Sequence, residues 1–73
     1  MSIFKIPRNT DMAAVAADWD RSATARQNRA DSLTAKGSTA EAGPWRTRAR
    51  EAGECAAAAR QGPDAYEAHV NGW

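Results

Sequence analysis

The sequence is poor in the features that define secreted and membrane proteins. It has a single cysteine, Cys55, so no intrachain disulfide framework can form, and a reducing compartment is the simpler setting. No stretch approaches the roughly 18 apolar residues of a membrane span. The apolar run 12–17 is followed by acidic residues and is too short for a signal-peptide core. We therefore expect a cytoplasmic chain that has no membrane association.

The sequence also lacks the patterns of common enzymes. Its five glycines are scattered and match neither the dinucleotide fingerprint nor the phosphate-binding loop. Cys55 and His69 are the only side chains of their kinds, too few for a zinc site or a supported nucleophile. Two pairs of nearby carboxylates, Asp18 with Asp20 and Glu51 with Glu54, are typical of solvated helix faces. We expect no catalytic residue, metal, cofactor or small-molecule substrate.

A strong net charge is missing as well. Ten Lys and Arg side chains stand against nine Asp and Glu, which leaves a formal charge of +1. No strong overall field therefore draws the chain onto nucleic acid or anionic lipid, although a local basic face remains compatible with this total.

Alanine and a few bulky side chains make up the apolar content of this 73-residue chain, which is long enough for one domain at most. Alanine fills space but buries little surface, so the core must be thin. The large apolar residues are Ile3, Phe4, Ile6, Met12, Val15, Trp19, Leu33, Trp45, Tyr66, Val70 and Trp73. So few bulky residues favour association with a second copy or with another protein over an isolated monomer.

Helix signals divide the chain into an arm and three helices. Pro7 favours an extended arm over residues 1–9, and residues 10–73 form the helical domain. Thr10 is a suitable N-cap for a helix 10–36, which Gly37 ends. Because proline suits the first turn of a helix, Pro44 is the expected start of a second helix, 44–61. Gly62-Pro63 separates it from a short helix 64–71. The predicted fold is an all-α antiparallel hairpin with a short third helix and an extended N-terminal arm.

Residues at heptad spacing predict how the first two helices pack. The seams are Met12, Ala16, Trp19, Ala23, Arg26, Ala30 and Leu33 on the first helix, and Trp45, Ala49, Ala52, Ala56 and Ala59 on the second. An antiparallel arrangement places Leu33 near Trp45, and Trp19 near Ala56 and Ala59. Arg26 interrupts the first seam, and we expect its side chain to reach toward Glu51 or Glu54.

The aromatic and arm residues suggest a protein interface. Three tryptophans exceed what a thin core encloses easily, and tryptophan is a frequent interface anchor. The candidate interface residues are Ile3, Phe4, Trp19, Trp45 and Trp73. Each has an alternative role within the chain's own bundle. The leading hypothesis is a non-enzymatic protein-protein interaction module, either self-associating or a small subunit of a larger assembly.

An arginine cluster suggests a second hypothesis. Arg29, Arg46, Arg48 and Arg50 are expected to form one basic patch that contacts phosphates or an acidic partner. The chain is then a small accessory or regulatory protein that binds nucleic acid. The near-neutral total charge and the lack of stacking aromatics among these arginines count against this hypothesis.

Overall fold

The structure, a computed structural model, describes residues 3–73, so Met1 and Ser2 of the predicted arm lie outside the described residues. It contains three helices: α1 (Met12–Ala35), α2 (Thr39–Arg60) and α3 (Pro63–Asn71). Residues 3–7 form an irregular arm before α1, and no strand is found between residues 3 and 73. The predicted all-α hairpin with a short third helix is confirmed.

Helix α1 begins two residues later than predicted because Asp11, and not Thr10, is its N-cap. The Asp11 carboxylate accepts hydrogen bonds from the backbone N–H groups of Ala13 and Ala14, at 3.1 and 3.2 Å. A carboxylate also suits the positive end of the helix dipole. The helix ends where Gly37 adopts a positive φ of 83°, as predicted for this glycine.

The turn between α1 and α2 is tighter than the predicted connector. Ser38 N–H donates to Leu33 O at 2.9 Å, and Gly37 N–H donates to Thr34 O at 3.0 Å. This is the Schellman pattern, in which the last carbonyls of a helix are satisfied by the two residues after its C-cap.

The prediction that the second helix starts at Pro44 is wrong, because α2 begins at Thr39 and contains Pro44. Pro44 removes one backbone hydrogen bond near the helix start. Gly43 has no Cβ to clash with the proline ring, which reduces the usual restriction on the preceding residue. The first turn also buries Ala42, only 2% exposed, against the core at this end of the hairpin. The burial of Ala42 therefore outweighs the preference of proline for the first turn of a helix.

The seam between α1 and α2 consists mainly of alanine. Ala16 and Ala30 on α1, and Ala52, Ala56 and Ala59 on α2, are at most 1% exposed. Side chains this small let two helix backbones approach closely.

The predicted register agrees with the two core clusters. Leu33 and Trp45 belong to one cluster, together with Ala30 and Ala42. Trp19 packs against the other, whose buried members are Ala16, Cys55, Ala58, Ala59 and Tyr66.

Helix α3 folds back along α2 on the half of the hairpin opposite the turn, which we call the open end. His69 lines a groove with Glu54 and Ala58, and Trp73 lines another with Arg50 and Glu54. Gly62, with a φ of 114°, redirects the chain, and Pro63 occupies the first turn of α3. Together with the arm, α3 covers the core cluster around Tyr66. Within residues 3–73 no helix is both long and apolar enough to cross a membrane.

Candidate interaction site

The N-terminal arm is held on α3 by side chains that bind its backbone. Phe4 N–H donates to Asn71 Oδ1 at 2.8 Å, and Asn71 Nδ2 donates back to Phe4 O at 3.2 Å. Two residues further along the arm, Ile6 N–H donates to Glu67 Oε1 at 2.8 Å. The arm therefore runs antiparallel to α3, and its backbone is bonded to side chains of that helix.

Two repeat distances explain why this pairing fits. Alternate residues of an extended chain are about 6.6 Å apart, and residues four apart on a helix are about 6 Å apart. Phe4 and Ile6 thus match Asn71 and Glu67 in spacing. A helix whose own backbone is fully bonded can in this way satisfy the backbone of an extended segment through its side chains.

Arg8 completes the contact through charge. Its guanidinium lies 3.1 Å from Glu67 Oε2 and 2.9 Å from Asp64 Oδ1. The Asp64 side chain is exposed, whereas that of Glu67 is only 8% exposed. The hydrogen bond from Ile6 N–H lowers the pKa of Glu67, with a smaller contribution from Arg8, and together they outweigh the opposite effect of burial. Glu67 is therefore a buried carboxylate with its hydrogen bonds in place.

An aromatic cluster lies beneath and beside the arm. The Phe4 and Tyr66 rings meet edge to face, with centroids 5.9 Å apart. Trp19 Nε1–H donates to the Tyr66 hydroxyl at 2.9 Å, and the Trp19 and Trp73 rings are 6.3 Å apart. His69 also contacts Trp73, at 5.8 Å between centroids. The arm, α1 and α3 are thus joined by aromatic contacts at one end of the molecule.

The exposed apolar side chains belong to the arm and to the residue that follows α3. Ile3 is 68% exposed, Phe4 39% and Trp73 65%, the large apolar residues with the greatest exposure among residues 3–73. Phe4 is bonded to Asn71, two residues before Trp73, and Ile3 adjoins Phe4. We call these three residues, Ile3, Phe4 and Trp73, the arm-end surface.

The other two candidate interface residues lie partly inside the molecule. Trp19 packs on the core and donates its indole hydrogen bond internally to Tyr66. Trp45 packs on the Leu33 cluster, and the Arg48 guanidinium lies over its ring, 5.0 Å from the centroid. Both tryptophans therefore help to form the core of their own bundle. The three residues of the arm-end surface are more exposed.

The four arginines of the predicted basic patch do not share one face. Arg46 contacts Asp31 at 3.1 Å, so Asp31 lies on the side of α1 that faces Arg46. Arg29 is two residues from Asp31, about 200° around α1, and so lies on the opposite side. Arg46 and Arg50 line a shallow groove together with Ala23, Thr24, Gln27, Asn28 and Ala49. The expected single patch is divided.

Three of these arginines already have partners in the chain. Arg46 contacts Asp31 and donates to Thr34 Oγ1 at 2.8 Å, and Arg50 lies 3.9 Å from Glu54. Arg48 lies over Trp45. A phosphate would compete with each of these contacts, but exposed ion pairs are worth only about 0–1 kcal/mol and yield readily.

Arg26 does not reach the acidic residues expected for it. Its guanidinium donates to the backbone carbonyl of Arg48 at 3.3 Å. The side chain thus crosses from α1 to α2 and bonds to the helix backbone, and the expected partners Glu51 and Glu54 are not those it contacts. A carbonyl has two lone pairs, so Arg48 O can accept this second donor in addition to a helical one.

The unique cysteine and histidine occupy different surroundings. Cys55 is fully buried in the core, and burial raises the pKa of its thiol, with a further contribution from Glu54. His69 lies against Trp73, and its Nε2 is buried without a hydrogen-bond partner among the described residues. Over residues 3–73, no three His, Cys, Asp or Glu side chains gather as metal ligands would.

Sequence reasoning did not identify Glu67 and Asn71. Both bind main-chain groups of the arm, and every residue carries such groups, so no complementary residue pattern marks the contact. The one available signal is the spacing of Asp64, Glu67 and Asn71 along one face of a short helix. The basic Arg8 of the arm contacts the acidic end of this row.

Comparison with known proteins adds no family to this description. No protein-family model matches the chain, and searches of curated proteins and of solved structures found no match either.

Proposed function

We propose that this chain is a non-enzymatic protein-protein interaction module of the cytoplasm, and that it associates through the arm-end surface. The observation that carries the proposal is the exposure of Ile3, Phe4 and Trp73 at one end of the molecule. Exposed bulky side chains that gather in one place mark association surfaces more often than scattered ones do. Trp73 and Phe4 are also residue types that anchor interfaces.

The shape of the molecule supports this proposal. The Cα atoms extend over 45 × 27 × 14 Å, and the shortest dimension is about that of two packed helices, whose axes lie roughly 8–10 Å apart. A body this thin has little interior in which to bury large side chains, and a second protein provides the missing cover. Self-association and membership in a larger assembly both meet this need.

Light scattering over a wide concentration series tests the proposal. We expect the mean mass to rise with concentration and the Trp73→Ser variant to associate at least about tenfold more weakly, because a tryptophan that becomes buried on association is a common anchor. Ala40→Ser, at an exposed position of α2 near the turn, is the matched control and should behave as the parent does. An equal loss in both variants would argue against the arm-end surface.

The rival hypothesis, nucleic-acid binding, remains tied to Arg46 and Arg50, which share one groove. A duplex titration at two salt concentrations separates the two functions, because phosphate contacts weaken steeply with salt. A monomer at every concentration that binds duplex in a salt-sensitive manner would favour the rival. Substituting Arg46 and Arg50 by Gln would then remove that binding, whereas Trp73→Ser would not.

A further inference from the structure

The contacts that dock the arm connect residues far apart in sequence. Phe4 and Asn71 are 67 positions apart, and Ile6 and Glu67 are 61 positions apart. The arm therefore fits α3 as a separate segment would. An arm supplied by a second copy of the chain would make the same hydrogen bonds, the same Arg8 ion pairs and the same contact with Tyr66.

The connection between the arm and α1 is short and lightly held. Between Arg8 and α1 lie Asn9, Thr10 and Asp11, and the turn is closed by a hydrogen bond from Thr10 N–H to Pro7 O at 3.0 Å. The cap of α1 does not depend on the arm, because the Asp11 carboxylate bonds only forward along the chain, to Ala13 and Ala14. Opening this turn would swing the arm away while α1 stays capped.

We propose that two copies of this chain pair by reciprocal exchange of their arms, so that residues 3–8 of each dock on α3 of the other. This inference rests on the proposed function and names its partner as a second copy. Exchange replaces each arm contact by an identical one. The free-energy difference between monomer and dimer therefore depends on the turn and on any newly buried surface. The residues available for new surface are the exposed Ile3, at the start of the arm, and Trp73, which follows the end of α3.

An isotope-filtered NOE experiment on an equal mixture of labelled and unlabelled full-length chains tests the exchange directly. The rings of Phe4 and Tyr66 touch, with centroids 5.9 Å apart, so protons of the two rings should give NOEs. We expect light scattering to show a dimer and the filtered spectrum to contain intermolecular Phe4–Tyr66 NOEs. The same NOEs would be purely intramolecular in a closed chain.

Turn variants provide a second, independent measurement. Short hinges favour exchange and longer ones favour the closed form. Deleting Asn9 should therefore raise the dimer fraction, and inserting Gly-Ser between Asn9 and Thr10 should weaken the dimer about tenfold. The matched control is the same Gly-Ser insertion after Gly37, in the turn between α1 and α2, which should leave the dimer unchanged. Circular dichroism confirms that each variant is helical.

The outcomes separate this inference from the proposed function. A dimer with only intramolecular Phe4–Tyr66 NOEs, and with no response to either change at Asn9, overturns arm exchange and leaves association through the arm-end surface standing. A chain that is monomeric at every concentration overturns exchange and self-association together, and only a larger assembly then remains for the proposed function. Intermolecular NOEs that respond to hinge length support exchange.

Discussion

The two ends of the α1/α2 hairpin bury their alanines in different ways. At the turn, Ala30 and Ala42 are covered by Leu33 and Trp45, which belong to the same two helices, and a tight covalent turn holds the end closed. At the open end, Ala16 and Ala59 are covered by Met12, Val15 and Trp19 of α1 and, from outside the hairpin, by Ile6 of the arm and by Tyr66 and Val70 of α3.

This difference shows what a seam of alanine requires. Alanine permits close helix packing but supplies little apolar surface, so each end needs bulky side chains from elsewhere. The turn end finds them within the hairpin. The open end takes only part of its cover from the hairpin, and the rest comes from α3 and from an arm that a few polar contacts fix to Asn71 and Glu67. We therefore expect stability to be lost first at the open end, and association to act there.

Leu33→Ala should give the largest loss of stability. Leu33 is 6% exposed and is the main aliphatic side chain of the turn end, so its truncation should lower the free energy of unfolding by about 3 kcal/mol. Urea unfolding followed by circular dichroism measures this. Val70→Ala at the open end, where Val70 is only partly buried, should cost about 1 kcal/mol. An equal or larger loss for Val70→Ala would reverse the comparison.

Ala59→Leu tests the seam where the open end is covered. Ala59 is 0% exposed, and a leucine there would push α1 and α2 apart, lowering the free energy of unfolding by about 2 kcal/mol. The matched control is Ala57→Leu, because Ala57 is exposed on the same helix. Similar urea midpoints for the two variants would mean that the helices are not closely packed at this end.

The sequence predicts the hairpin well because its information is periodic. Heptad spacing along α1 is enough to pair Leu33 with Trp45 and to place Trp19 on the core around Ala59. The start of α2 was predicted wrongly, since the local preference of Pro44 was outweighed by the burial of Ala42, a tertiary effect that is invisible in the local sequence.

The contact between the arm and α3 is the part that periodicity does not reveal. Glu67 and Asn71 recognise backbone groups, and Arg26 likewise bonds to a backbone carbonyl, that of Arg48. Such contacts depend on where a segment lies in space and not on which side chains it carries. The exposed Phe4 and Trp73 were identified from their residue type, but their common location required the structure.

Tyr66→Phe should have a moderate effect, confined to the open end. The variant keeps the ring that Phe4 contacts but removes the acceptor for Trp19 Nε1–H, so the free energy of unfolding should fall by about 1 kcal/mol. Urea unfolding measures the loss, and the indole proton resonance of Trp19 should shift. The Trp45 indole resonance, at the turn end, is the internal control. A shift of both resonances would mean that the two ends are not independent.

The smallest expected effect is release of the arm in acid, which leaves the hairpin folded. The pKa of Glu67 is lower in the folded chain than in the unfolded chain, so its contribution to docking is present at neutral pH and is lost as the pH falls through the folded value. The Ile6 amide resonance should then move toward its unfolded position while Leu33 and Trp45 stay unchanged. Asp64→Asn separates the two carboxylates that face Arg8, because it removes the exposed partner and leaves Glu67 to titrate. Glu67→Gln should weaken docking at neutral pH and abolish the acid transition of Ile6. If that transition persists in Glu67→Gln, another group holds the arm, and the weakness of the open end has a different cause.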